Sequence, residues 1–239
     1  MRILALLLLS LCAQALAAEP KIVFIAGEYE YHSKETLPPF ARQLAQDFKV
    51  ETVVLERPDD PKQQTIPGLD ALESADLVVL LIRRMTLPEA ELGKIKACIQ
   101  SGKPVIGLRT ASHSFENWKS FDHEVLGGNY QGHHGNKLKT TVTVLPSAAG
   151  HPILKGVDGF VSEGSLYKNT PLQPGARPLM LGKVTGFPAE PVAWTRENQG
   201  ARVFYTSLGH PDDFKNESFQ NLLRNSINWA LGQPLEARK

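Results

Sequence analysis

Two segments of the sequence combine an imidazole with groups that could orient it. Residues 109–113 read Arg-Thr-Ala-Ser-His, and residues 209–212 read Gly-His-Pro-Asp. Histidine exchanges a proton near neutral pH and is therefore the commonest acid–base side chain in catalysis. We predict that His210 and His113 are the catalytic candidates, with Asp212 or Glu163 as the acidic neighbour of His210. For His113, a structural hydrogen bond is an equally open interpretation.

Basic and aromatic side chains follow two further predicted strands. Residues 28–33 read Glu-Tyr-Glu-Tyr-His-Ser, and Arg83 and Arg84 come directly after an apolar run. A guanidinium carries five N–H donors, which suit a carboxylate, a phosphate or a row of hydroxyls. Because neighbouring residues of an extended chain point to opposite sides, we expect only one of Arg83 and Arg84 to face a ligand. His32 is predicted either to bind the ligand or to cap the helix that follows it.

The sequence lacks the compact motifs of common metal, phosphate and serine-nucleophile sites. It contains no HExxH, no CxxC, no GxxxxGK(S/T), no GxGxxG after the first predicted strand and no GxSxG. A divalent metal would have to be held by histidines from separate loops, and the candidate set is His113, His134 and His210. No other cofactor is predicted.

Short apolar runs alternate with amphipathic segments in the first half of the chain. Strands are predicted at 21–27, 50–55, 76–82 and 104–108, and helices at 40–48, 69–75 and 88–101. This alternation predicts an α/β fold, a single-domain, flavodoxin-like three-layer sandwich with a mostly parallel central sheet. Ligands of such sheets bind beyond the carboxyl ends of the strands, where the residues named above are expected to lie.

The second half of the chain is predicted to be less regular. Strands are expected at 138–145, 191–195 and 201–207, with a hairpin turn between the last two, and a closing helix at 219–231. Residues 121–134 are predicted to form a loop rich in glycine and histidine. Residues 147–182 are predicted to be mostly loop, with short regular pieces.

The first 18 residues have the composition of a secretion signal. Arg2 precedes the apolar run 3–11, and residues 15–17, Ala-Leu-Ala, fit a cleavage site. The run is shorter than the roughly 20 residues that a membrane-spanning helix needs, so we expect no integral membrane segment after cleavage. We predict an exported protein, periplasmic or secreted. A lipid anchor at Cys12 is not expected, because the residue before it is a leucine and not a small one.

The charge balance excludes one class of partner. The 239 residues include 26 basic and 25 acidic side chains, a formal net charge of +1. Nucleic-acid-binding domains usually carry a clear basic excess, so we predict no nucleic-acid partner. Of the two cysteines, only Cys98 would remain after cleavage, which rules out an internal disulfide. Assembly into a homo-oligomer stays open.

Several stretches together resemble one family. The order KIVFIAG, DLVVLLIRR, PVIGLRTASHSF, LGGNYQGHH, HPILKGV, PVAW and RVFYTSLGH is similar to that of ThuA-like (trehalose utilisation) proteins, in the class I glutamine amidotransferase-like superfamily. The resemblance covers nearly all of residues 19–239, which it implies to be one domain. Amidotransferases of this superfamily carry a cysteine nucleophile where Arg109 stands, and a histidine turn where residues 209–212 stand. A guanidinium stays protonated and is no nucleophile, so glutamine amidotransferase activity is excluded.

The family name implies a role in the utilisation of disaccharides or keto-sugars, with a small carbohydrate as ligand. Two functions remain open. The first is hydrolysis, elimination or isomerisation of a sugar derivative by histidine-based or metal-assisted chemistry. The second is a non-catalytic, exported carbohydrate-binding module. The residues assigned to the ligand are Arg109, Arg83, Arg84, Tyr29, Tyr31, His32, Tyr130 and Glu163, with Tyr167 as a further tyrosine that could pack against a sugar face.

Overall fold

The computed structural model describes residues 18–135 and 138–238. The strands are β1 (Lys21–Gly27), β2 (Glu51–Glu56), β3 (Leu77–Ile82), β4 (Val105–Leu108), β5 (His133–His134), β6 (Thr140–Val144), β7 (Phe160–Ser162), β8 (Leu166–Tyr167), β9 (Arg177–Lys183), β10 (Glu190–Asn198) and β11 (Ala201–Thr206). The α-helices are α1 (Ser33–Asp47), α2 (Glu89–Gln100) and α3 (Glu217–Leu231). Residues 1–17, most of the predicted signal, lie outside the described residues.

Nine of these strands form one sheet in the order β2-β1-β3-β4-β11-β10-β9-β6-β7. The five strands from β2 to β11 are parallel to one another, and β10, β9, β6 and β7 continue the sheet with antiparallel pairings. The predicted α/β fold, a single domain with a parallel sheet at its core, is confirmed. Strands β5 and β8 form a separate two-stranded pair.

Helices cover both faces of the parallel strands, because successive strand residues point to opposite sides. Ile22 and Phe24 of β1 belong to the apolar cluster that α1 and α3 complete. Val23 and Ile25 belong to the cluster on the other face, which α2 completes. All four of these side chains are fully buried. Burial on both faces explains why β1 and β3 read as continuous apolar runs.

Helix α1 and strand β9 are the two long elements that differ most from the sequence-based expectation. Helix α1 begins at Ser33, although the pattern predicted a start at residue 40, and it contains Pro38 and Pro39. The first residue of α1 is held by a hydrogen bond from its backbone nitrogen to Glu28 in the preceding loop, and helical periodicity carries no information about such a bond. Strand β9 lies inside the segment predicted to be mostly loop. Its proline and glycine weaken the strand pattern, but its pairing with both β10 and β6 provides the missing stabilisation.

Among residues 18–135 and 138–238, none of the helices combines the length and the apolar character that crossing a bilayer requires.

Candidate functional site

Arg109 occupies a strained turn between a strand and a helical segment. It directly follows β4 and begins a short 3₁₀ turn, Arg109–His113. Its φ is 45°, a left-handed conformation that costs a residue with a side chain roughly 1–3 kcal/mol. Strand-to-helix turns of this shape raise a nucleophile above the sheet edge in other enzymes. Here the position carries a guanidinium instead.

The Arg109 side chain is a buried structural hub, with 1% of its surface exposed. Its Nη1 donates to the carbonyl of Ser207 at 2.6 Å, and its Nη2 donates to the hydroxyl of Tyr31 at 3.1 Å. Its Cζ lies 4.3 Å from the ring centroid of Tyr31 and 4.6 Å from that of Tyr167. The hydroxyl of Tyr205 donates to the Arg109 carbonyl at 2.6 Å. Protein groups therefore surround the guanidinium that the sequence assigned to a ligand.

The guanidinium keeps its charge in this position. Burial alone disfavours the charged form, but Tyr167 and Tyr31 and, more weakly, Asp213 raise the pKa of Arg109 above its ordinary value. A Cβ at Gly164 would lie 2.7 Å from Nη1, so the glycine lets the backbone approach the guanidinium closely. A cation therefore lies directly beneath the carboxyl edge of the sheet.

A continuous row of rings extends from this hub to both sides, and we name it the aromatic row: His210, Tyr31, Tyr167, Tyr130 and His113. The His210 and Tyr31 rings lie edge to face with centroids 6.2 Å apart. Tyr167 lies 4.7 Å from Tyr130, which stacks on His113 at 4.3 Å. The guanidinium bridges Tyr31 and Tyr167. Residues from five separate segments of the chain therefore meet at one edge, although only some of the predicted residues belong to the row.

His113 is held neutral at physiological pH. Burial is the main cause that lowers its pKa to about 3, followed by the positive charges of Arg83, Arg84 and Arg109. Its Nδ1 lies 3.1 Å from the hydroxyl oxygen of Ser112. At neutral pH such an imidazole carries a single ring proton, so it is not a general acid, and its low pKa makes it a weak base. The ring of His113 stacks on Tyr130, and its acid–base role stays a prediction that the low pKa disfavours.

His210 is the more accessible imidazole, with 29% of its side chain exposed. Its Nδ1 lies 3.3 Å from the backbone nitrogen of Asp212, which donates to it. In the neutral ring this leaves the proton on Nε2. The Asp212 carboxylate is 3.6 Å from Nδ1 and forms a closer ion pair with Lys215 at 2.7 Å, which lowers the pKa of Asp212. Asp212 therefore contacts His210 chiefly through its backbone.

The carboxylate that fixes the His210 turn is that of Asp213, which the sequence analysis did not single out. Its Oδ2 accepts from the backbone nitrogens of Gly209 at 2.9 Å and His210 at 3.0 Å, and from the Ser162 hydroxyl at 2.9 Å. Asp213 is buried, and burial raises its pKa. Asp212 and Asp213 are adjacent and identical in type, so the sequence alone does not indicate which of the two side chains folds inward.

A second buried carboxylate, Glu28, positions Tyr31. It accepts from the backbone nitrogens of Tyr31 at 2.7 Å and Ser33 at 3.0 Å. The Ser33 hydroxyl in turn donates to the Glu28 carbonyl. Burial raises the pKa of Glu28, against the effect of these hydrogen bonds. An acidic residue just before a helix start was the available signal for this contact.

Three predicted ligand residues have partners outside the aromatic row. Tyr29 donates to the Pro58 carbonyl and stacks on Arg57. His32 has positive φ before α1, and its exposed imidazole lies 3.1 Å from a carboxylate oxygen of Glu35. Glu163 pairs with Lys139 at 2.7 Å, and the next residue, Gly164, packs on Arg109. Neither Tyr29 nor His32 joins the row, and no contact links Glu163 to His210 in the described residues.

The two arginines after β3 have different surroundings. Arg83 pairs with Glu30 at 2.7 Å. Arg84 is exposed and lines a cavity of about 370 Å³, together with His113, Asn129 and Tyr130. The remaining lining residues are Ser112, Ser114, Phe115, Glu116, Trp118, Lys119, Phe121, Asp122 and His123.

The predicted metal set is not assembled. His134 is buried, and its Nε2 lies 3.0 Å from the Glu190 carboxylate, in the β5–β8 pair. Within residues 18–135 and 138–238, no three or more His, Cys, Asp or Glu side chains are grouped so that they could hold a metal ion. His113 and His210 lie at opposite ends of the aromatic row, each with its own polar partner.

A family model described as trehalose utilisation, ThuA, matches residues 21–230. The chain belongs to the ThuA family. A comparison with curated proteins gave no match. Among solved structures, a ThuA-like protein from Bacteroides uniformis is similar, with 19% identity, 90% of this chain and 93% of that chain covered, and a TM-score of 0.69.

Two further structures share the fold of this ThuA-family chain. A ThuA-like protein from Parabacteroides merdae has 17% identity, with 92% of this chain and 98% of that chain covered and a TM-score of 0.66. A β-galactosidase from Rahnella sp. R3 has 16% identity and a TM-score of 0.56, and the match covers 91% of this chain but 32% of that one. At these identities the similarity concerns the fold alone.

Replacement of Arg109 is expected to destabilise the ThuA-family chain rather than only to weaken a ligand. In Arg109→Ala, the Ser207 carbonyl loses its donor and a cavity opens between two tyrosine rings, which should cost about 3–5 kcal/mol. Urea unfolding measures this change. Arg84→Ala, at an exposed position with the same φ sign, is the matched control and should change stability by less than about 1 kcal/mol. Equal effects of the two substitutions would contradict the structural role of Arg109.

Asp122 should make stability depend on pH. Burial raises its pKa from 3.8 to about 7, although it accepts from the Tyr130 backbone nitrogen at 2.8 Å. At a pH between these two pKa values, the Asp122 carboxyl is ionised in the unfolded chain but still protonated in the folded chain. The free energy of unfolding should therefore fall as pH rises from about 4 to about 7, by up to about 4 kcal/mol from this group.

The Asp122→Asn variant isolates this contribution, because the side chain of asparagine does not ionise. The stability difference between wild type and Asp122→Asn, measured by urea unfolding at pH 4, 5.5 and 7, should shift steadily in favour of the variant. A difference that is constant across this range would show that the Asp122 carboxyl ionises normally in the folded chain.

Proposed function

We propose that this protein binds a carbohydrate at the aromatic row and acts in sugar utilisation without covalent catalysis. Tyr31 and Tyr130 are half-buried, so each keeps an accessible part of its ring at the edge of the sheet. Ligand sites commonly combine such aromatic surfaces with a few placed polar groups. The polar group here is His210, whose Nε2 can donate to a sugar hydroxyl. The family described as trehalose utilisation supports a sugar as ligand.

The observation that carries the proposal is the burial of Arg109 at the turn where a nucleophile would stand. The position supplies no thiol or hydroxyl, and the guanidinium itself is enclosed by Tyr31 and Tyr167. His113, at the other end of the row, is neutral at physiological pH, because burial lowers its pKa to about 3, and it therefore lacks the acidic proton of an imidazolium. These features favour recognition of a sugar over chemistry through a covalent intermediate.

Export belongs to the same proposal. The basic residue, the apolar run and the small residues of the first 18 positions support a cleaved secretion signal. The protein would then meet its sugar in the periplasm or outside the cell.

Catalysis by His210 is the second candidate function. Its imidazole is the partly exposed one of the row and has a carboxylate nearby, which suits proton transfer to or from a bound sugar derivative such as a keto-sugar. Elimination and isomerisation require such transfers. Hydrolysis of a glycoside by the common route would need a pair of carboxylates across the bond. The carboxylates of Glu30 and Glu163 are instead ion-paired with Arg83 and Lys139.

Sugar binding should depend on Tyr130 and not on Tyr29. Isothermal titration with trehalose, glucose and their keto derivatives should give measurable affinity for at least one of them. Tyr130→Ala should weaken that affinity about tenfold, the loss expected for one aromatic contact. Tyr29→Ala is the matched control, since its ring stacks on Arg57 outside the row, and it should bind as the wild type does. Equal losses in both variants, or no binding by the wild type, would contradict the proposed site.

His210→Gln separates the two candidate functions. If the protein only binds, incubation of the same sugars with the wild type should leave them unchanged, and the variant should keep most of its affinity, because the glutamine amide nitrogen can still donate a hydrogen bond although it does not ionise. Consumption of a keto-sugar by the wild type that is abolished in His210→Gln would instead establish catalysis by the imidazole.

A further inference from the structure

Arg84 is presented by a rigid and strained stretch of backbone. It follows β3 after one intervening residue and has a φ of 46°, unusual for a residue with a side chain. Its backbone nitrogen donates to the His113 carbonyl at 2.8 Å, and that of Met85 donates to the Ser114 carbonyl at 2.8 Å. These bonds attach the Arg84 turn to the 3₁₀ turn that carries His113. Strained conformations of this kind concentrate at ligand-binding positions.

The surroundings of Arg84 have a net positive charge. Arg83 is paired with Glu30, whereas Arg84 forms no ion pair within the described residues. The charges of Arg83, Arg84 and Arg109 all contribute to the low pKa of His113, which places the three cations around one imidazole. A negatively charged group bound near His113 would be attracted by the same field.

The cavity beside Arg84 is large enough for a sugar and has little negative charge of its own. Its volume of about 370 Å³ lies within the range of small-molecule sites. Of its two carboxyl groups, Glu116 lies 3.7 Å from Lys119, and Asp122 is buried with a raised pKa. Tyr130 forms part of the wall, so the cavity continues directly from the aromatic row.

We infer that the sugar bound at the aromatic row carries an anionic group, a carboxylate or a phosphate, and that Arg84 binds it. This inference rests on the proposed carbohydrate function. The guanidinium fork matches two oxygens of a carboxylate or phosphate and forms charge-assisted hydrogen bonds with them. With its ring on Tyr130, a uronic acid or a sugar phosphate would direct its charge into the cavity lined by Arg84.

Titration calorimetry with three probes tests the inference: glucose, glucuronate and glucose 6-phosphate. The uncharged and charged sugars share one ring, so their difference reports the anionic group, and the two anions distinguish a carboxylate from a phosphate. We expect at least one anion to bind ten or more times more tightly than glucose at low ionic strength. This preference should shrink in 0.5 M NaCl because salt screens an exposed charge.

Three variants assign the preference to Arg84. Arg84→Gln should abolish it while glucose affinity stays within twofold of the wild type, and Arg84→Lys should retain part of it. Lys155→Gln removes one exposed positive charge beside α3 and serves as the matched control, with the preference unchanged. Thermal unfolding of each variant checks that the fold is intact.

The outcomes separate this inference from the proposed function. Equal affinity of the wild type for glucose and both anions would overturn the inference and leave sugar binding in place. A preference that survives in Arg84→Gln would overturn the role of Arg84. Failure of all three sugars to bind would overturn the inference, and the proposed function would fall with it only if trehalose and the keto derivatives also failed to bind.

Discussion

The charged guanidinium of Arg109, enclosed between two tyrosine rings and a backbone carbonyl, organises the carboxyl edge of the sheet. It connects β4 to Tyr31 of the loop after β1, to Tyr167 of β8 and to Ser207 after β11. A buried cation is costly unless its donors and its charge find partners. Because those partners come from distant parts of the sequence, satisfying one side chain fixes the relative positions of several loops.

The same hub determines which chemistry the edge can support. The turn that presents a nucleophile in other proteins is occupied by a side chain directed into the protein. Burial keeps His113 neutral by lowering its pKa, and the positive charges of Arg83, Arg84 and Arg109 add to that effect. The groups that remain accessible are parts of two tyrosine rings, the partly exposed imidazole of His210 and the exposed guanidinium of Arg84. These groups recognise ring faces, hydroxyls and anions, and the proposed sugar ligand follows from that combination.

Buried carboxylates hold the outer parts of this surface in place. Glu28 fixes the backbone before α1 that carries Tyr31, Asp213 fixes the turn that carries His210, and Asp122 fixes the backbone nitrogen of Tyr130. Each acts on the main chain rather than on a ligand. None of these roles can be predicted from the sequence, because a carboxylate in a loop is equally compatible with solvent exposure, with an ion pair and with a hydrogen bond to the backbone. The Gly-His-Pro-Asp segment favours Asp212, and nothing in the sequence indicates that Asp213 folds inward instead.

The sequence by itself determined the parallel core and the edge at which the site lies. The apolar runs of β1 and β3 could be buried only on both faces of a sheet, and a parallel sheet brings the ends of its strands, and so Tyr31, Arg84, Arg109 and His210, to one side. Only the tertiary structure decided the direction of each side chain at that edge. Arg109 and Arg84 both follow strands and both have positive φ, yet one is enclosed and the other exposed. Their difference arises from the residues that other loops place around them, and strand periodicity carries no information about those loops.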